Sequence, residues 1–135
     1  MCTLRAYGTE FDVDTFLASS PLAPSTVFKK GEPRRPNTAS EGPKHNKSGV
    51  CIGVSDAEWS DLAAQVSDAE QFLISNRIAI EALAAMPGIE DFLLDFPIEL
   101  RADGIKIATQ TDIFSPALVR IAGTFGLGLA LTIYS

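Results

Sequence analysis

Few residues in this chain are spaced for chemistry, and each competes with a plainer use. Glu10, Asp12 and Asp14 alternate in E-F-D-V-D, and such oxygens suit a divalent cation. Acidic residues just ahead of a helix also cap it and favour the positive end of its dipole. Capping is the reading taken, and no metal site is expected. Cys51 would be a nucleophile only beside a base in an electropositive, partly open site. It lies between Val50 and Ile52, where alternation can turn it towards the core as a small hydrophobe, and the lone His45 is a distant partner. Asp95 and Glu99 share one face of an alternating strand, Glu90 and Asp91 form a second carboxylate pair, and both read as solvated surface. Gly126-Leu127-Gly128 lacks the third glycine and the strand-before-helix setting of a dinucleotide loop. P-loop, zinc-protease, nucleophile-elbow and paired C-x-x-C patterns are absent from the sequence. No catalytic residue and no cofactor are therefore expected, and the residues point away from an enzyme.

The remaining feature is electrostatic. Six of the eleven basic residues fall between positions 29 and 47: Lys29, Lys30, Arg34, Arg35, Lys44 and Lys47. With Glu32 and Glu41 this stretch is +4; the whole chain is −6, which leaves −10 for the rest. Arginine recognises carboxylate and phosphate by paired hydrogen bonds. Lys29, Lys30, Arg34 and Arg35 are thus the candidate ligand-binding residues, with an acidic protein partner or an anionic ligand as the class they would take. The plainer use of the same charges is to solvate a loop and offset an acidic body. Nucleic acid is disfavoured, because the rest of the chain is acidic and aromatics do not interleave with the bases.

The elements that must position these residues follow from periodicity and punctuation. Residues 3–7 read as a first strand. Asp12 or Asp14 caps a short helix carrying Val13, Phe16 and Leu17, ended by Pro21 and Pro24. Residues 26–30 and 48–54 read as strands, separated by a basic proline- and glycine-rich loop at 31–49. Ser55 and Glu58 have capping-box spacing, repeated by Ser67 and Glu70. Leu62, Val66, Ala69, Leu73, Ile80 and Leu83 predict one long helix with a break near Ser75-Asn76, closed by Pro87-Gly88. Residues 92–100 alternate as a strand, and Pro97 predicts an edge position for it. Asp103-Gly104 predicts a hairpin into a return strand at 105–111. Ser115-Pro116 starts a helix that Gly126 stops. Residues 127–134 are apolar at nearly every position, as suits a central strand covered on both faces.

The expected architecture is α+β: a mainly antiparallel sheet of five or six strands with helices mostly on one face. Its start, β-α-β-β-α-β, has the order of a ferredoxin-like unit, and a β-α-β extension follows. At 135 residues, 46% of them apolar, a single domain spanning 1–135 with one core is expected. Two cysteines make no disulfide framework and suggest a reducing compartment, hence the cytoplasm. Residues 1–10 contain no apolar signal-peptide run, and no stretch approaches the about 20 apolar residues that cross a bilayer, so no membrane partner is expected. A homodimer through the 92–100 edge strand is compatible with this outline.

Tyr7-Gly8, the acidic helix start at Asp12, Pro24, the segment Lys30-Gly31-Glu32-Pro33-Arg34 and the tail from Phe114-Ser115-Pro116 to Tyr134 together resemble a bacterial family catalogued as domain of unknown function 4279. The resemblance spans nearly the whole chain. Phe28 stands where a tryptophan before the basic pair is common, and Thr132 where an acidic residue is common. The resemblance implies a compact α+β domain without an assigned activity. The functional expectation is a non-catalytic binding or protein-interaction module, immunity-like or regulatory. The alternative is a binder of anionic small molecules, or a small enzyme, using the basic loop.

Overall fold

The computed structural model describes residues 1–34 and 42–134. In chain order the elements are β1 (Thr3–Gly8), α1 (Val13–Ser19), β2 (Thr26–Phe28), β3 (Ser48–Gly53), α2 (Leu62–Ser75), α3 (Arg77–Ala84), β4 (Asp91–Glu99), α4 (Pro116–Phe125) and β5 (Gly128–Tyr134). The chain is α+β, with a five-stranded sheet in the order β2-β3-β1-β4-β5. Three pairings are antiparallel and β4–β5 is parallel, so the sheet is mixed.

Local chemistry sets the helix ends. Asp12 accepts from the Thr15 N–H at 3.1 Å and caps α1. The long helical stretch breaks at Asn76, whose φ of −114° and ψ of 23° leave the helical region and whose side-chain amide donates to the Phe72 carbonyl at 2.9 Å. Ser115 accepts from the Leu118 N–H at 3.1 Å, and Pro116 occupies the first position of α4, where no hydrogen bond is lost. Gly126 ends α4 at φ 72°, a left-handed conformation that costs glycine little.

One core lies on one face of the sheet. Leu4 and Ala6 of β1, Val50 and Ile52 of β3, and Leu94 and Phe96 of β4 form it from below. Above them pack Phe16 of α1, Leu73 of α2, Ile80 of α3 and Leu118 of α4, so all four helices cover the same face. The other face bears Arg5, Tyr7, Cys51, Asp95 and Thr132, the alternate residues of the same strands.

Several expectations are corrected. Residues 105–111 form no strand. Asp103 Oδ1 accepts from the N–H groups of Ile105, Lys106 and Ile107 at 2.8, 2.9 and 3.0 Å. The resulting turn is tied off by side chains, with Arg101 to Asp112 at 2.8 Å, and no ladder forms. β4 is not an edge, because β1 and β5 pair with its two sides. Pro97 is tolerated there because β1 pairing stops at Thr3↔Asp95, and the backbone position of Pro97 on that side meets no strand. β5 is the edge instead of a central strand, and Leu131 and Ile133 are 41% and 58% exposed. The capping-box pair Ser55 and Glu58 starts no helix; α2 begins where Asp61 accepts from the Ala64 N–H at 3.0 Å. Cys51 faces away from the core, since Val50 and Ile52 take the inward positions.

Among the described residues, no helix is long and apolar enough to cross a membrane.

Candidate functional site

The helix-free face carries a concavity of about 600 Å³ where β1, β4 and β5 end beside residues 54–61. Its polar floor is Arg5 and Asp95, which Thr132 extends into a row across three strands. Arg5 on β1 places Nη2 2.9 Å from Asp95 Oδ2 on β4. Thr132 on β5 donates to Asp95 Oδ1 at 2.6 Å. The Asp95 side chain is only 10% exposed, so these two donors replace the water it has lost. Arg5 Nε is also buried and has no acceptor among the described residues.

The wall is aromatic. Trp59 and Tyr134 pack with ring centroids 5.1 Å apart at 54°, a tilted arrangement favoured by their quadrupoles. Each remains nearly half exposed, at 45% and 46%. Pro97 adds an apolar surface between them and Asp95, and Asp56 and Glu58 stand at the rim.

Trp59 sits in an irregular segment that is nevertheless tied down at both ends. The Val54 and Ser55 N–H groups donate to the Cys2 carbonyl at 2.9 and 3.1 Å. Ser55 Oγ donates to Asp68 of α2 at 2.6 Å. Gln65 of α2 is fully buried, and its Nε2 donates to the Pro97 carbonyl at 2.9 Å and to the Glu58 carbonyl at 3.3 Å. The Glu99 N–H donates to the Trp59 carbonyl at 3.2 Å. These bonds occupy the flank of β4 that β1 is too short to cover, and they hold the indole against the sheet.

The basic residues singled out from the sequence lie elsewhere. Lys29 Nζ is 2.8 Å from Asp14, and that contact holds its pKa above the ordinary lysine value. Lys30 Nζ is 3.9 Å from Glu10. Arg34 is exposed, its N–H donating to the Pro43 carbonyl at 2.9 Å. Arg35 lies outside the described residues. The structure therefore brings Lys29 and Lys30 to the acidic run at α1, and neither lines the concavity. In that run Asp12 caps the helix while Glu10 and Asp14 face the lysines. Lys47 pairs with Asp91 at 3.1 Å and stands 5.6 Å from the Tyr7 ring centroid. His45 stacks on Phe28 with centroids 4.9 Å apart.

Cys51 is half-buried on the helix-free face, and desolvation raises its pKa despite nearby Arg5. Burial pushes the Cys2 thiol up to about 12. Both thiols are therefore protonated near neutral pH. Among the described residues, no group of three or more His, Cys, Asp and Glu is placed to hold a metal ion.

Sequence reasoning missed Arg5, Trp59 and Tyr134 as a set. A signal for the first existed: Arg5 and Asp95 are opposite charges inside two apolar strands. Their meeting depends on strand order, which periodicity does not encode. Asp95, expected on the solvated face, is buried, whereas Glu99 on the same strand is exposed.

No family model, curated protein or solved structure matches this chain.

Proposed function

We propose that this protein is a binding domain without catalysis of its own, immunity-like or regulatory in type, which takes its ligand on the helix-free face of the sheet. The observation that carries this reading is the Trp59–Tyr134 wall standing over the Arg5–Asp95–Thr132 row. A concavity of about 600 Å³, mostly apolar with a few convergent polar groups, is the usual form of a ligand site. Its wall is fixed by buried hydrogen bonds before any ligand arrives, so binding orders little new structure. Arg5 is already committed to Asp95, and the thiol nearest this face is held protonated, so these groups support holding a ligand better than transforming it.

The test is a fragment set screened by two-dimensional NMR. Shifts confined to Trp59, Tyr134, Arg5 and Thr132 support the reading. Shifts clustered on Lys29, Lys30 and Arg34 would support the anionic-ligand reading of the basic loop instead.

The arrangement of β1 to β4 supports a finer description as a ferredoxin-like unit. β1 lies between β3 and β4, antiparallel to both, and β2 flanks β3. α4 and β5 are then the addition, and β5 completes the site by supplying Thr132 and Tyr134.

A second reading concerns self-association, and the exposed edge favours it. β5 has no charged residue and no proline, the devices that usually protect an edge. The Tyr134 carbonyl accepts from the Leu100 N–H on the β4 side. By alternation, the backbone groups of Leu129, Leu131 and Ile133 point out of the sheet. Antiparallel pairing of two β5 strands would satisfy them and cover the apolar side chains. Sedimentation over a concentration series tests this reading, and a monomer throughout removes it.

A further inference from the structure

We infer that the concavity takes an organic cation: an ammonium or guanidinium group on an apolar stem, as a lysine or arginine side chain or a small alkylammonium presents. The inference rests on the reading of this face as a ligand site. Trp59, 45% exposed, offers the best side-chain surface for a cation, because the indole carries the strongest negative quadrupole face. Tyr134 packs against it and widens that surface. Around this wall stand Asp56, Glu58 and Asp95. Asp56 and Glu58 are exposed and make no ion pair with a described residue, so their charge is available at the rim.

Among the described lining residues Arg5 is the one cationic side chain, and it is spent on Asp95 at 2.9 Å, while the Met1 ammonium, the other positive group on the lining, is engaged by the Ala57 carbonyl. An anion entering here would meet Asp56 and Glu58 at the mouth and would have to compete with Asp95 for the guanidinium. A neutral apolar ligand would gain the Trp59 and Pro97 surfaces but leave the carboxylates unmatched. A cation gains both the aromatic face and the carboxylates, while its stem covers Pro97.

Trp59 is the single tryptophan of the chain, so intrinsic fluorescence reads this site directly. Four capped amino acids of similar size make the probe series: N-acetyl-lysine amide, N-acetyl-arginine amide, N-acetyl-norleucine amide and N-acetyl-glutamate amide. Each is titrated against the full chain, with the Trp59 indole N–H followed by NMR in parallel. The two cations are expected to bind about tenfold tighter than norleucine amide, with glutamate amide weakest. Raising salt from about 0.05 to 0.5 M should weaken the cations severalfold and leave norleucine amide unchanged.

Asp56→Asn with Glu58→Gln should remove most of the cation advantage without changing norleucine affinity. Should that pair fail to fold by circular dichroism, the probe series on the unaltered chain decides alone. Equal or tighter binding of norleucine amide or glutamate amide overturns the cation inference while leaving a ligand site in place. Silence of Trp59 to all four probes overturns the site reading itself. A lysine-centred capped pentapeptide separates the sources. Tighter binding than the free amide assigns the cation to a polypeptide, and equal binding to a small molecule; both uphold the inference.

Discussion

Arg5 and Asp95 meet diagonally across β1 and β4, 2.9 Å apart, on the face that no helix covers. Register places Arg5 opposite Leu93 and Asp95 opposite Thr3, so the two are neighbours along one side of the sheet. The pair is lopsided in solvent, with Asp95 nearly buried and Arg5 still 43% exposed. Removing the exposed partner strands the buried one. Arg5→Met is expected to destabilise the fold by about 1–2 kcal/mol, the exposure of Arg5 placing it below a fully buried pair. Arg5→Met combined with Asp95→Leu should recover most of the loss, because no unpaired charge is left. Urea denaturation of the single and double variants measures both.

Gln65 joins the Trp59 segment to β4 through the Glu58 and Pro97 carbonyls. Gln65→Leu keeps the volume but leaves both carbonyls without that donor. A loss of about 1–3 kcal/mol is expected. A shift of Trp59 emission should accompany it, because the indole loses its anchor to the sheet. A loss of stability with unchanged emission would show that the segment is held by its other bonds alone.

Gly49 on β3 leaves room for two aromatic rings on the helix-free face. A Cβ added there would lie 2.5 Å from Phe28 Cζ and 2.5 Å from Tyr7 Cβ. It would also lie 2.7 Å from the Ala6 carbonyl oxygen, which cannot move without bending β1. Gly49→Ala is expected to cost about 1–3 kcal/mol by overpacking. A thermal melt against Gly53→Ala, where an added Cβ meets nothing within 4 Å, separates crowding from the general effect of replacing glycine.

Acid should weaken the fold below the ordinary carboxylate range. Thr15 holds the Asp12 pKa below its usual value of 3.8, and Thr9 holds Glu90 below 4.5. Three backbone N–H groups do the same for Asp103, and Arg101 for Asp112. In each case the unfolded chain binds protons more readily than the folded one. The stabilisation is complete above about pH 5 and is lost as pH falls through the folded pKa values. The melting temperature should therefore be flat from about pH 7 to 5 and drop below about pH 4. Lys29 and Lys47 act in the opposite sense. Asp14 and Asp91 raise their pKa values above 10.5, so their contribution persists through neutral pH and fades as pH climbs past that range.

Substituting Leu131 or Ile133 by lysine on β5 should abolish self-association with little change in monomer stability, since both side chains are already well exposed. Sedimentation equilibrium of each variant beside the unaltered chain checks this.

Much of the fold was legible in order along the chain. The caps at Asp12 and Ser115, the break at Asn76 and the stop at Gly126 depend on residues within a few positions of one another, and spacing records them. The hairpin expected at Asp103-Gly104 misled for the same reason. The turn forms as its residues dictate, but a return strand also needs an open partner edge, and β5 already occupies that side of β4. The apolar run of β5 suggested a centre because nothing in its composition reports that no strand lies beyond it.

The sequence by itself determined the α+β class, the caps of α1 and α4, the inward set of β4 and the uneven distribution of charge. Those follow from local propensity and from the period of apolar residues. Tertiary structure alone decided the strand order, and with it the site. Arg5, Trp59, Asp95 and Tyr134 are scattered from one end of the chain to the other. They meet because β1 pairs with β4 and β5 docks in parallel beside it, with Gln65 holding the Trp59 segment over their ends. Strand pairing is a long-range choice made by packing a common core. Residue types can state the charges and rings available, but only the closed sheet brings them to one face.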